Sequence, residues 1–146
     1  MFITKNKELK HIPDNYSDIF ELFSSGVMQL NHFKNYKLAL LETFVAVEIL
    51  VVRVTDEIKS SKGISRTKIS EFKQAVDLAH RMDIELRLFF KFSQEEEALI
   101  GQMVRARKIR NKIMHYNEVA KESEITEIIK SIRSFLFMLI EKHEKI

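Results

Sequence analysis

Apolar side chains recur along this chain at intervals of three and four residues, the spacing of one face of an α-helix. The pattern predicts a first helix that starts at Asp14 or Ser17, with a kink or interruption at Ser24-Ser25-Gly26. A second helix is predicted from about Phe33 to about Lys59. The Ser, Lys and Gly residues that follow are typical of a loop, and we expect the helix to end there.

Two further helical stretches are predicted in the middle of the chain. One covers about Ser65 to Arg81, with Phe72, Val76 and Ala79 on its inner face. The other covers about Asp83 to Phe92, and the pattern does not fix its boundary with the preceding helix. We expect both stretches to pack on the core through their apolar faces.

Capping sequences mark the starts of the last two helices. Ser93 and Glu96 have the spacing of a capping box, in which each side chain accepts a hydrogen bond from the other residue's backbone N–H. When residues 83–92 are counted with the third helix, the helix that Ser93 and Glu96 start is the fourth. It is expected to run to Tyr116 or Asn117. Ser123 is expected to cap a final amphipathic helix. The inward residues of that helix are predicted to be Ile125, Ile128, Ile129, Ile132, Phe135, Leu136, Leu139 and Ile140.

Turn residues and strand signals are too few for a sheet. The 146 residues include three Gly and one Pro, and no segment shows convincing alternation of apolar and polar positions. Hydrophobic residues make up 45% and charged residues 31% of the chain, which is typical of a globular protein and excludes a disordered one. We predict an all-α fold, a compact up-and-down-like bundle of about five helices in one domain spanning residues 1–146.

The absence of cysteine restricts both the chemistry and the compartment. Disulfides, thiolate metal sites and cysteine nucleophiles are excluded, and a reducing cytoplasm is the expected location. The most apolar stretch, residues 38–54, contains Glu42, Glu48 and Arg53, which are unfavourable in a bilayer. A buried helix is therefore expected there, and no membrane contact.

Two charged residues interrupt the predicted apolar faces. Glu48 falls near the middle of the inner face of the second helix, and Arg110 falls inside that of the fourth. Because Arg and Glu are rarely buried unless they are paired, we predict that these two form a hydrogen-bonded ion pair between facing helices. The apolar faces around them comprise Leu40, Leu41, Phe44, Val51 and Val52 in the second helix, and Leu99, Met103, Ala106, Ile109 and Ile113 in the fourth.

More polar and basic side chains occur close to Arg110. Asn111 and His115 are four residues apart and project from one helix face. No acidic residue lies between Gln102 and His115, so this stretch is a basic patch that can attract a polyanion, although the net charge of the chain is only +3. Its members are Arg105, Arg107, Lys108, Arg110 and Lys112. The residues alone equally fit a solvated helix face, a structural histidine and an arginine that ties two helices together.

The string Arg110-Asn111-Lys112-Ile113-Met114-His115 resembles the RNxxxH form of the Arg-x(4–6)-His motif of HEPN domains. Those domains are compact helical bundles in which the motif lies late in one helix and one more amphipathic helix follows. The predicted fourth and last helices have this order. The resemblance thus covers most of the chain in architecture and six residues in specific sequence.

The resemblance implies an activity and an assembly. Active HEPN proteins are typically metal-independent endoribonucleases, and many serve as toxins, antiphage effectors or RNA-processing enzymes. They usually form homodimers in which two copies of the motif face each other across a two-fold interface. RNA is then the expected substrate, no cofactor or metal ion is expected, and an antitoxin or regulatory protein is a candidate partner.

The resemblance also implies roles for individual residues. His115 would take the proton from a ribose 2′-OH or protonate the leaving 5′-oxygen, because imidazole titrates near neutral pH. Arg110 would stabilise the charge that develops on the phosphoryl group, and Asn111 would orient one of these partners by hydrogen bonding. The candidates for contact with the RNA backbone are Arg105, Arg107, Lys108 and Lys112.

Glu48 and Tyr116 are candidate supporting residues. Glu48 would orient Arg110 while one edge of the guanidinium stays open to a phosphate, whereas full burial of the pair would make Arg110 structural. HEPN toxins paired with nucleotidyltransferase antitoxins carry a tyrosine two residues after the histidine. Here Asn117 holds that position and Tyr116 precedes it, so this type of control is not expected. Two alternatives are a non-catalytic HEPN-like module that binds a protein or a nucleotide, and a helical protein that binds nucleic acid without cleaving it.

Overall fold

The computed structural model describes residues 2–3, 9–10, 13–73, 76–118 and 120–146, and α-helices dominate this part of the chain. The all-α prediction is therefore confirmed. The helices are α1 (Ser17–Asn31), α2 (Tyr36–Ser61), α3 (Arg66–Lys73), α4 (Leu78–His80), α5 (Leu86–Phe89), α6 (Gln94–Tyr116) and α7 (Glu122–Glu144). A 3₁₀ turn at Asp14–Tyr16 precedes α1, a π-helical turn at Arg81–Glu85 joins α4 to α5, and a short antiparallel pair is formed by β1 (Phe2–Ile3) and β2 (Leu9–Lys10).

Helix α1 passes through Gly26 without interruption, so the interruption predicted at Ser24-Ser25-Gly26 is wrong. A Cβ atom at Gly26 would lie 2.5 Å from Thr43 Cγ2 and 3.1 Å from the carbonyl oxygen of Ala39. The glycine therefore lets the backbones of α1 and α2 approach closely, and its role is packing rather than helix breaking.

The third helix predicted from about Ser65 to Arg81 is wrong as one continuous helix, because residues 76 and 77 are not helical. Residues 74 and 75 lie outside the described part, and a new helix starts after Asp77, whose Oδ1 accepts a hydrogen bond of 2.8 Å from the backbone N–H of His80. Arg81 consequently belongs to the next helical segment. Phe72, predicted on the inner face, is 58% exposed, whereas Val76 and Ala79 are half-buried.

The helical segment formed by α4, the π-helical turn and α5 covers residues 78–89 and ends earlier than predicted. The backbone becomes extended at Phe90, with φ of −132° and ψ of 153°. Phe90 and Phe92 then pack partly buried against the core as part of the connection to α6. The apolar residues at the end of this segment were expected to be helical, but they are non-helical and still pack against the core.

The last two helices follow the sequence pattern closely. The capping box of Ser93 and Glu96 is confirmed, as is the predicted end of α6 near Tyr116. All eight residues predicted to face inward on α7 are buried. The predicted cap at Ser123 is wrong, because α7 starts at Glu122 and its N-cap position is Lys121, which makes no side-chain cap hydrogen bond.

Helix α2 is the central element, because it packs against α1, α6, α7 and the π-helical turn. One apolar strip of α2 is more exposed to solvent than the buried faces that contact these neighbours. We call this strip the α2 stripe; it consists of Leu41, Val45, Ile49 and Val52. Val45 is 38% exposed and the other three are half-buried. Within the described residues, no helix is long and apolar enough to cross a membrane.

Candidate active site

Glu48 of α2 and Arg110 of α6 form the ion pair that the sequence predicts. Arg110 Nη1 donates a hydrogen bond to Glu48 Oε1 across the interface of the two helices. The side chains keep 18% (Arg110) and 33% (Glu48) of their surface exposed. The pair is therefore half-buried, and part of it can be reached from solvent.

The ring of Phe44 lies beneath the guanidinium of Arg110, with the Arg110 Cζ atom 5.0 Å from the ring centroid. Phe44 is buried and lies one helical turn before Glu48, so both side chains point to the same face of α2. Arg110 is thus held by an ion pair and by a cation–π contact. The sequence pattern placed Phe44 on this face, but its contact with Arg110 was missed; its four-residue spacing from Glu48 was the available signal.

Burial and the charges of two arginines have opposite effects on the pKa of Glu48. Burial raises the pKa of Glu48 above its ordinary value, while the positive charges of Arg110 and Arg107 lower it. Arg107 therefore lies within electrostatic reach of the same carboxylate. The Nε atoms of both arginines are buried and have no hydrogen-bond partner among the described residues. The site holds two half-buried cations and one anion.

His115 is exposed on α6, and Asn111, one turn before it, is half-buried. In the described part of the chain, neither side chain makes a hydrogen bond or an ion pair with Glu48 or Arg110. The helix ends one residue after His115, at Tyr116, and its C-cap residue Asn117 adopts a left-handed backbone conformation with φ of 50°. Lys37 Nζ donates a hydrogen bond of 2.6 Å to Asn117 Oδ1 and ties this end of α6 to the start of α2. An imidazole in this position is accessible for proton exchange with a ligand.

The remaining basic residues of α6 differ in their surroundings. Arg105 forms an ion pair of 2.9 Å with Glu124 and is thereby directed towards α7. Lys108 and Lys112 are exposed. Tyr116 is 75% exposed, and its supporting role stays a prediction. The fold thus brings Arg107, Arg110 and Glu48 together and directs Arg105 elsewhere.

A second polar cluster, which the sequence did not indicate, joins the π-helical turn to α2. Arg81 is 2% exposed; its Nη1 donates hydrogen bonds to Thr55 Oγ1 at 2.6 Å and to Asp56 Oδ1 at 2.9 Å. Glu85 forms an ion pair with Lys59 beside it. A new helix starts after Asp77, so a helical wheel continued from the predicted third helix could not place Arg81. The cluster fastens residues 78–89 to α2.

No group of three or more histidine, aspartate or glutamate side chains that could hold a metal ion occurs in the described part of the chain. In comparisons with known proteins, no family model, no curated protein and no solved structure matches this chain. The chemistry of the site therefore has to be argued from its own residues.

Proposed function

We propose that this chain is a homodimeric HEPN-type endoribonuclease that cleaves RNA by attack of a ribose 2′-OH, without a metal ion. The main support for this proposal is the environment of the Arg110 side chain. It is held by Glu48 and Phe44, it stays partly open to solvent, and it lies on the same helix as the exposed imidazole of His115. This arrangement combines an oriented phosphate-binding cation with a proton-exchanging group.

The proposed reaction needs one proton acceptor and one proton donor. A base takes the proton of the 2′-OH, the 2′-oxygen forms a bond to phosphorus, and the bond from phosphorus to the 5′-oxygen breaks as an acid protonates that oxygen. The products are a 2′,3′-cyclic phosphate and a 5′-OH end. His115 is the residue of the motif that can serve in either role, while the fork of Arg110 stabilises charge on the phosphoryl oxygens.

Glu48 acts as a positioning residue. Its carboxylate takes one Nη group of Arg110, and the ring of Phe44 covers one face of the guanidinium. These contacts limit the orientations of a side chain that is otherwise rich in rotamers. The partial exposure of the pair leaves donor groups of Arg110 free for a phosphate.

A second copy of the chain would complete the site. The α2 stripe is apolar and flanks Glu48, since Val45 and Val52 lie one turn on either side of it. Burying the two stripes against each other removes apolar surface from water and brings the two ion pairs close to the two-fold axis. Each copy then contributes a His115, so that one imidazole serves as base and the other as acid.

The test is cleavage of single-stranded RNA in the presence of EDTA, with His115→Gln compared against His32→Gln. Both histidines are exposed, so neither substitution is expected to disturb the core. We expect His115→Gln to reduce the cleavage rate by about 100-fold or more, and His32→Gln to leave it unchanged. Cleavage that survives in His115→Gln would refute the assigned role. A wild-type chain that binds RNA but never cleaves it would favour the non-catalytic binding module.

A further inference from the structure

Arg107 differs from the other basic residues of α6 in what surrounds it. Its side chain is half-buried, and its Nε atom is shielded from solvent without a hydrogen-bond partner. The described residues offer it no ion-pair partner within contact distance. Glu48 interacts with Arg107 electrostatically but accepts its hydrogen bond from Arg110.

A half-buried guanidinium without an acceptor is unfavourable, and a ligand that brings an acceptor to the part of it that solvent reaches satisfies it best. Charge leads to the same conclusion, because two arginines share one carboxylate and the half-buried group carries an excess positive charge. An anion with several oxygens would neutralise that charge and could accept two parallel hydrogen bonds from the arginine fork. A phosphodiester of single-stranded RNA has this chemistry.

The other basic side chains of the patch are either paired or exposed. Arg110 shares the shielded Nε with Arg107, but its Nη1 is bound by Glu48. Arg105 is already paired with Glu124 at 2.9 Å. Lys108 and Lys112 are exposed, and an ammonium group in water is strongly hydrated and flexible. Arg107 is therefore the most favourable place on this helix for a fixed phosphate contact.

We propose that Arg107 binds a phosphate of the RNA that flanks the one being cleaved. Within one chain Arg107 and His115 are separated by eight residues, or about 12 Å along the helix axis, so they serve different phosphates of one strand. This inference rests on the proposed function for the identity of the ligand. It assigns to Arg107 the anchoring of the strand and leaves stabilisation of the reacting phosphoryl group to Arg110.

The experiment measures the binding of a 2′-O-methyl oligonucleotide, which cannot be cleaved, to wild type, Arg107→Gln, Arg107→Lys and Arg66→Gln over a series of salt concentrations. Arg66 is an exposed arginine of α3, outside the basic patch. We expect Arg107→Gln to weaken binding by about 10-fold or more and to lower the slope of log affinity against log salt by about 0.7. Arg107→Lys keeps the charge but loses the fork, so its affinity should be intermediate. Arg66→Gln should bind as wild type does.

On a cleavable RNA, Arg107→Gln should raise KM and leave kcat nearly unchanged, because a flanking contact is present before and during the reaction. Thermal unfolding of each variant establishes that it is folded. If folded Arg107→Gln binds the oligonucleotide as tightly as wild type, or if Arg66→Gln loses as much affinity, the proposal is overturned even when cleavage is observed. Binding that depends on Arg107 in a chain that never cleaves RNA would refute the proposed function and the flanking position, and would leave only the contact of Arg107 with a phosphate.

Discussion

Two glycines of the helical bundle illustrate how one residue type has opposite effects in different surroundings. Gly26 allows α1 to approach α2, because a Cβ atom there would lie 2.5 Å from Thr43 Cγ2. Gly101 on α6 is exposed and has nothing within 4 Å of the position of a Cβ. We expect Gly26→Ala to lower the free energy of unfolding by about 1–2 kcal/mol, because overpacking outweighs the helix propensity of alanine.

Gly101→Ala is the matched control and should raise the free energy of unfolding by about 0.5–1 kcal/mol. Urea unfolding of both variants measures the difference. If Gly26→Ala stabilises the protein as much as Gly101→Ala does, the close contact between α1 and α2 is not a constraint on the fold.

At the scale of single residues, the sequence predicted which charged residues form a pair, but not how deeply the side chains of the site are buried. Glu48 and Arg110 could be paired because each is a charged residue on a face that is otherwise apolar, and a buried charge requires an opposite one. The half-buried state of Arg107, the ring of Phe44 beneath Arg110 and the pairing of Arg105 with Glu124 depend on the distances between helices. A helical wheel gives the direction of a side chain and contains no such distances.

At the scale of secondary structure elements, two serines were predicted to cap helices, and only Ser93 does so. Ser93 Oγ accepts a hydrogen bond from the backbone N–H of Glu96, whereas α7 starts ahead of Ser123. We expect Ser93→Ala to lower the free energy of unfolding by about 1 kcal/mol. Ser123→Ala should change it by less than about 0.5 kcal/mol, since the residue is exposed. Equal losses in the two variants, measured by thermal or urea unfolding, would contradict the assignment of the caps.

The elements that the sequence predicted well are those with a long regular period. The period of α7 extends over more than six turns, and every residue predicted to face inward is buried. The region between α2 and α6 was predicted poorly because Asp77 starts a new helix and the π-helical turn at Arg81–Glu85 changes the phase. Short elements whose boundaries depend on one cap contain too little periodicity to fix their limits.

For the whole molecule, the proposed dimer gives the α2 stripe a function. Val45→Asp places a charge in that surface and should shift a wild-type dimer to monomers and reduce RNA cleavage with it. Leu88→Asp is the control, because Leu88 is 74% exposed and belongs to the segment 78–89 rather than to the stripe. Sedimentation velocity reports the mass of each variant. A monomeric wild type that cleaves RNA fully would contradict the shared site.

The fold class followed from the scarcity of Gly and Pro and from the helical period, since both restrict a chain of this length to long helices. The assembly could not be derived in the same way. Whether an exposed apolar strip is covered by a second copy depends on shape and on the surface buried in the complex, neither of which is written in the periodicity of one chain.

The chemical nature of the product ends tests most directly whether this chain cleaves RNA through attack of the 2′-OH. Mass spectrometry of fragments produced in EDTA should show a 2′,3′-cyclic phosphate on one fragment and a 5′-OH on the next. An RNA with 2′-deoxy substitution throughout should resist cleavage, because the nucleophile is missing. Fragments with 3′-OH and 5′-phosphate ends, or cleavage of the 2′-deoxy strand, would contradict the mechanism and the roles assigned to His115 and Arg110.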